Sequence, residues 1–271
     1  MQPNIIHRNN VTITGKGKQP LIFAHGFGCD QKMWRFIVPA FEDRYQVILF
    51  DYVGSGCSDT TAYNAERYRS LRGYVQDVLD ICSALNLRDA IFVGHSVSSM
   101  IGMYAAIAAP QYFSKLIMVG PSPCYLADGD YNGGFTRSDV DDLFVTMDKN
   151  YIGWANFLAP ALMGTPQQPE LGDELVQSFC SSDPIIARRF AEVTFLSDCR
   201  PDLHRSTVPT LVMQCRDDIV APVSVGEYLS QHLPNSTYRL LNATGHCPHV
   251  SAPGETIEHI RSFLHTEAVM T

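Results

Sequence analysis

The chain has 271 residues, 45% of them hydrophobic and 18% charged, a length that suits one large α/β domain or a core with an inserted subdomain. A net charge of -8 argues against a nucleic-acid partner, because phosphate binding needs clustered Lys and Arg. The opening MQPNIIHRNNVTITG lacks the basic start and apolar run of a secretory signal, and the cysteines at 29, 57, 82, 124, 180, 199, 215 and 247 show neither CxxC nor zinc-like spacing. A cytoplasmic protein with reduced thiols, no disulfide framework and no membrane span is expected.

VTIT (11–14) and a Gly-Lys-Gly-Lys turn lead into PLIFAHG (20–26), an apolar run rich in strand formers. YQVILFD (45–51) and AIFVG (90–94) are two more. Continuous apolar runs of this kind suit strands buried on both faces of a parallel sheet. Between the last two, Leu71, Val75, Val78, Leu79, Cys82 and Leu85 recur at helical spacing and form one apolar stripe. KLIMVG (115–120), TLVMQC (210–215) and TYRLLN (237–242) read as later strands, with closing helices over 223–233 and 254–265. This alternation predicts a mostly parallel, doubly wound α/β sheet.

The middle of the chain breaks the rhythm. From 122 to 198 it offers four helix-like pieces (138–150, 151–163, 170–180 and 184–196) and no strand run. The expected division is a core of 1–121 with 199–271, and an inserted helical lid of 122–198 over the sheet's C-terminal edge, where open α/β folds bind ligands. The lid also holds 12 acidic against 4 basic residues, so the whole negative excess sits there.

IFVGHSVSSMIGMYAAIAA (91–109) has no charged residue, yet its polar positions cluster near one end. It therefore divides into a strand, a sharp turn at Ser96 and a buried helix from about Val97 to Ala109. Gly94 and Ser98 flank Ser96 at the spacing of a nucleophile elbow, G-x-S-x-G, with Ser98 at the place of the last glycine. A serine nucleophile needs an acid and then a histidine on later loops. Asp217 and Asp218 compete for the acid at the end of TLVMQC. His246 and His249 compete for the base, and His246 directly follows the glycine at a strand end. The amides of Val97 and Phe27 are candidate oxyanion donors, the first at a helix N-terminus and the second in the flexible His25-Gly26-Phe27-Gly28 loop.

HGFGCDQ (25–31), FDYVGSG (50–56), GHSVSSMIG (94–102), MVGPSPCYL (118–126), DYNGGF (130–135), KNYIGWA (149–155) and GHCPHVS (245–251) carry a resemblance that runs through nearly the whole chain. The sequence resembles the α/β-hydrolase superfamily, and within it the RsbQ-like bacterial stress-signalling hydrolases and their relatives, the plant karrikin and strigolactone receptors. The resemblance implies an α/β-hydrolase fold with a four-helix lid over a small apolar pocket. It selects Asp218, four residues before a helix-opening proline, and assigns the triad to Ser96, Asp218 and His246. It also implies pocket positions Phe27, Phe135, Trp154, Leu158 and Phe195. Leu158 stands where the plant receptors have Phe, so their ligand preference does not transfer. The bacterial members imply a partner, a PAS-domain phosphatase that controls a stress sigma factor.

His25 and His95 are expected to shape backbone turns, Cys247 to be a buried spectator, and neither a metal nor a cofactor is expected. The acidic lid is either a solvated face or a dock for a basic partner, with Asp139, Asp141 and Asp142 as candidate contacts. Three functions compete: a slow signalling hydrolase of small apolar esters or lactones, a metabolic carboxylesterase or carbon–carbon bond hydrolase, and a ligand-binding receptor with little turnover. Fold and triad alone do not separate them.

Overall fold

The computed structural model describes residues 4–265. After a short helix, α1 (Ile5–Arg8), come strands β1 (Thr12–Thr14), β2 (Gln19–Ala24) and β3 (Tyr45–Leu49). Helix α2 (Leu71–Ala84) leads to β4 (Ala90–His95), α3 (Val97–Ala108) and β5 (Phe113–Val119). The chain then makes four helices, α4 (Arg137–Lys149), α5 (Tyr151–Met163), α6 (Pro169–Ser181) and α7 (Pro184–Phe195). It returns through β6 (Thr210–Asp217), α8 (Val223–His232), β7 (Ser236–Thr244), α9 (Pro248–Ser251) and α10 (Pro253–His265).

The strands form one seven-stranded sheet in the order β1-β3-β2-β4-β5-β6-β7, parallel except where β1 pairs antiparallel with β3. Period-two alternation divides each central strand between two faces. Ile22 and Phe92 pack with Tyr74, Val78, Met100 and Leu229 from α2, α3 and α8. Leu21, Phe23 and Ile91 pack on the other face with Trp34 and with Ile260 from α10. Both faces are thus covered, as the unbroken apolar runs require.

Every parallel strand ends at the same edge, and α4–α7 gather there around a third apolar cluster. Each of these helices starts on a defined signal. Thr136 and Asp139 form a reciprocal capping box on α4, and the Asn150 side chain accepts from Gly153 N to open α5. Pro169 occupies the first turn of α6; Asp183 caps α7 with Pro184 behind it. Their inward faces carry Phe144, Trp154, Leu162, Leu175, Phe179 and Phe195.

The charge-free stretch 91–109 divides between β4 and α3, and no described helix is long and apolar enough to cross a membrane. Most strand ends differ from the sequence-based expectation by one or two residues. The run 45–51 leaves the sheet at Leu49, because the Asp51 carboxylate turns to accept from the amides of Gln31 at 2.9 Å and Cys57 at 3.0 Å. The last strand runs longer, from Ser236 to Thr244. Neither α1 nor α9, each only 4 residues long, was expected. All eight cysteines are free thiols, and six of them are buried.

Candidate active site

Three loops at the C-terminal ends of β4, β6 and β7 bring Ser96, Asp218 and His246 together. Ser96 sits at φ +55, ψ -125, a region that L-residues avoid and that stores about 1–3 kcal/mol of strain. Its surroundings hold it there. Ser96 N donates to Val119 O at 2.8 Å, and Ser99 Oγ donates to Gly94 O at 2.9 Å. A side chain at Gly94 would run into the backbone of Ser98, its Cβ only 2.5 Å from Ser98 O, so this turn excludes bulk.

His246 Nε2 lies 2.8 Å from Ser96 Oγ, and His246 Nδ1 lies 2.7 Å from Asp218 Oδ2. The other Asp218 oxygen accepts from Val220 N at 2.8 Å and Ala221 N at 3.2 Å. Burial pushes the Asp218 carboxyl up, but the facing His246 ring and the two amides outweigh it and hold it below the usual carboxylate range. An ionised Asp218 accepts only, so the imidazole presents Nδ1–H to it and leaves Nε2 free to accept from Ser96. Of the competing residues, Asp217 is exposed and takes part only through its carbonyl, which receives Gly245 N at 2.7 Å. His249 is fully buried between the rings of Trp34 at 4.5 Å and His95 at 4.3 Å, and neither of its ring nitrogens has a hydrogen-bond partner among the described residues.

Both suspected turn-shaping histidines bond to backbone. His95 Nε2 donates to His246 O at 2.8 Å, and burial lowers the His95 pKa to about 3, so the ring is neutral. His25 Nδ1 donates to Gly26 O at 2.8 Å. Gly26 runs so close to the elbow that a Cβ there would lie 3.2 Å from Ser96 Cβ. Phe27 is the next residue along, while Val97 opens α3, whose first-turn N–H groups have no acceptor within the helix.

Ser96 and His246 floor a narrow cavity of about 40 Å³. Phe27, Phe135, Leu158 and Phe195 are among the residues that line it. Trp154 does not. Its ring packs 5.0 Å from that of Phe179 and 6.2 Å from that of Phe27, one turn before Leu158 on the same face of α5. Cys29 and Cys247 also face the cavity, and burial holds both thiols protonated, Cys29 up to about 12. Sequence reasoning missed Tyr125, whose hydroxyl lies 3.2 Å from Ser96 Oγ. Its place in the loop after β5, at the same sheet edge, was the available signal. The walls contributed by Leu162, Leu175 and Phe179 were also missed, since apolar residues on an amphipathic helix look alike in sequence.

A strained serine at a strand–helix turn, bonded to a histidine on a later loop beneath a helical insertion, is the build of an α/β hydrolase. The alpha/beta hydrolase family model matches residues 21–259, and the chain belongs to that family. It is 38% identical over 258 residues to the karrikin insensitive 2 receptor CA of Petunia hybrida, covering 95% of this chain and 96% of that one. It is 39% identical over 264 residues to the strigolactone esterase D14 of Arabidopsis thaliana, covering 97% and 98%. Among solved structures, a hydrolase from Oleispira antarctica superposes with a TM-score of 0.95 at 45% identity, covering 97% of each chain.

Proposed function

We propose that this chain is a slow serine hydrolase of small apolar esters or lactones, working as a signalling protein. The observation that carries the reading is the hydrogen-bonded series Asp218–His246–Ser96, which opens into a cavity of only about 40 Å³ with apolar walls. Residues 1–121 and 199–271 serve as the hydrolase core and 122–198 as its lid. The free thiols agree with a cytoplasmic setting.

In this mechanism Ser96 Oγ attacks the ester carbonyl while His246 Nε2 takes the hydroxyl proton. Asp218 holds the Nδ1–H tautomer and stabilises the imidazolium as it forms. The amides of Phe27 and Val97 receive the oxyanion. When the tetrahedral intermediate collapses, His246 returns its proton to the leaving alkoxide; in a lactone the freed alcohol stays tethered to the acyl group. Water, deprotonated by His246, then attacks the acyl-enzyme and restores Ser96. General-base assistance of this kind contributes roughly 10²–10⁴-fold, and one oxyanion donor on the order of 10²–10³-fold.

The signalling half rests on the whole-length similarity to a protein named as a receptor and another named as an esterase. The partner we propose is a PAS-domain phosphatase of a stress sigma-factor pathway, docking on the acidic lid. Of the lid carboxylates, Asp139 is occupied in the α4 capping box and Asp141 pairs with Arg137 at 3.0 Å. Asp142 and Asp173, both exposed, are the better contacts. Charge-guided docking of this kind weakens as salt rises and on neutralising Asp142 and Asp173; partner binding indifferent to both changes rejects it.

A burst assay with p-nitrophenyl acetate, wild type beside Ser96→Ala, tests the chemistry. The expected result is a Ser96-dependent burst and then very slow turnover. Fast sustained turnover would mark a metabolic esterase, and identical traces from the two proteins would remove the nucleophile assignment and leave a ligand-binding receptor.

A further inference from the structure

Ser98 occupies the elbow position where the usual pattern has glycine, and small size alone does not account for how it is used. The side chain is fully buried, and its hydroxyl donates to the carbonyl of His25 in the loop after β2. The Tyr52 hydroxyl lies 3.0 Å from Ser98 Oγ. Since a serine hydroxyl has one proton and Ser98 has given it to His25, Tyr52 must be the donor in this second bond. The backbone N–H of Tyr52 also donates to His25 Nε2 at 3.2 Å, which fixes the ring proton on Nδ1, where it meets Gly26 O at 2.8 Å. His25 is thereby gripped at its carbonyl by Ser98, at its ring by Tyr52, and through its own ring at the next peptide. None of the three residues is exposed.

The next residues are Gly26 and Phe27. Gly26 lies against Ser96, and Phe27 carries the amide that the mechanism above uses as an oxyanion donor. We infer that Ser98 is a positioning residue: its hydroxyl, backed by Tyr52, ties the oxyanion loop to the helix that bears the nucleophile. This rests on the serine-hydrolase reading. A glycine at the same position has no side-chain donor, so an elbow of the usual kind must place that loop by other contacts. Here the distance between the attacking serine and the Phe27 amide is set by a side chain two residues from the nucleophile. Positioning of this sort matters because a misplacement of ~1 Å costs about 10²-fold in rate.

The test compares Ser98→Ala, Ser98→Gly and Tyr52→Phe with the wild type, using the p-nitrophenyl acetate burst and the affinity of a small alkyl trifluoromethyl ketone, whose adduct with serine carries an oxyanion. In Ser98→Ala the acylation rate constant is expected to fall roughly 10–100-fold with KM within about twofold, and ketone affinity to fall in proportion. Tyr52→Phe leaves the Ser98–His25 bond in place and should give a smaller loss, with no addition to it in the double variant. Ser98→Gly supplies the same reading if the alanine variant does not fold. A lowered Tm with unchanged acylation and ketone affinity would overturn the inference and leave Ser98 as packing. Acylation in the wild type that survives Ser96→Ala would instead overturn the parent reading, and this inference with it.

Discussion

The backbone amide of His246 donates a 2.6 Å hydrogen bond to the carbonyl of Leu162, near the C-terminus of α5. The insertion therefore does more than roof the cavity: one of its helix ends holds the loop that presents the imidazole. Thr244 Oγ1 adds a bond to Gly164 O at 2.9 Å. Gly245, at φ +81, lies so close that a Cβ would fall 2.2 Å from Met163 O. Gly245→Ala should lower Tm by several degrees, since the strained backbone alone costs about 1–3 kcal/mol, and should reduce the acylation rate in the same protein. Thr244→Val is milder, at roughly 0.5–1.5 kcal/mol, and should speed amide exchange at the end of α5. Exchange there that matches the wild type would mean the two parts are not coupled through this bond.

Asp218→Asn should lower kcat by about 10⁴-fold, because an amide can present its N–H to Nδ1 and stabilise the wrong tautomer. Its effect on stability depends on pH in a defined direction. The Asp218 pKa is held below its unfolded value by His246 and the two amides, against the opposing effect of burial. A depressed carboxylate pKa contributes stability that is present above the unfolded value, about 3.9, and is lost as pH falls through the folded value. The Tm difference between wild type and Asp218→Asn should therefore be full at neutral pH, begin to shrink near pH ~4 and vanish below the folded pKa. A difference that grows on acidification would contradict this assignment.

Tyr125 offers a test in the opposite direction. Ser96 gives its proton to His246, so the 3.2 Å contact makes the Tyr125 hydroxyl the donor to Ser96 Oγ. That bond engages a lone pair that the serine needs for attack. Tyr125→Phe should raise the acylation rate by a few-fold, in keeping with a net hydrogen-bond worth of about 0.5–1.5 kcal/mol. A loss of a hundredfold would instead place the phenol among the groups that stabilise the transition state.

Trp154 and Leu158, one turn apart on α5, should separate stability from substrate choice. Trp154 is buried, so Trp154→Ala should destabilise by about 3–5 kcal/mol in urea unfolding. Leu158 is half-buried and faces the cavity, so Leu158→Phe should change Tm little while narrowing the range of acyl chains accepted. Similar Tm losses in both variants would show that the cavity wall is also a stability element.

Local signals in the sequence determined a good part of this protein. Unbroken apolar runs gave the buried parallel strands, because a strand covered on both faces has no polar side to display. Gly94, Ser96 and Ser98 marked the turn, because only small residues fit it. The order of an acid and a histidine behind two later strands narrowed the partners to two of each; its place directly after the strand-end glycine favoured His246, and resemblance selected Asp218. The four lid helices were legible from their amphipathic pattern, and their caps became visible only in the structure. Tertiary structure decided what spacing cannot encode. The pairing of Asp218 rather than Asp217 with His246 depends on which side chain turns inward after β6, and adjacent residues differ there by a rotation and not by composition. Trp154 against Phe179, Leu158 at the cavity, and Tyr125 against Ser96 depend on how separate elements pack at one sheet edge. Two of the bonds that grip His25 join the loops after β2 and β3 to each other and to α3, and such contacts exist only once the chain has folded.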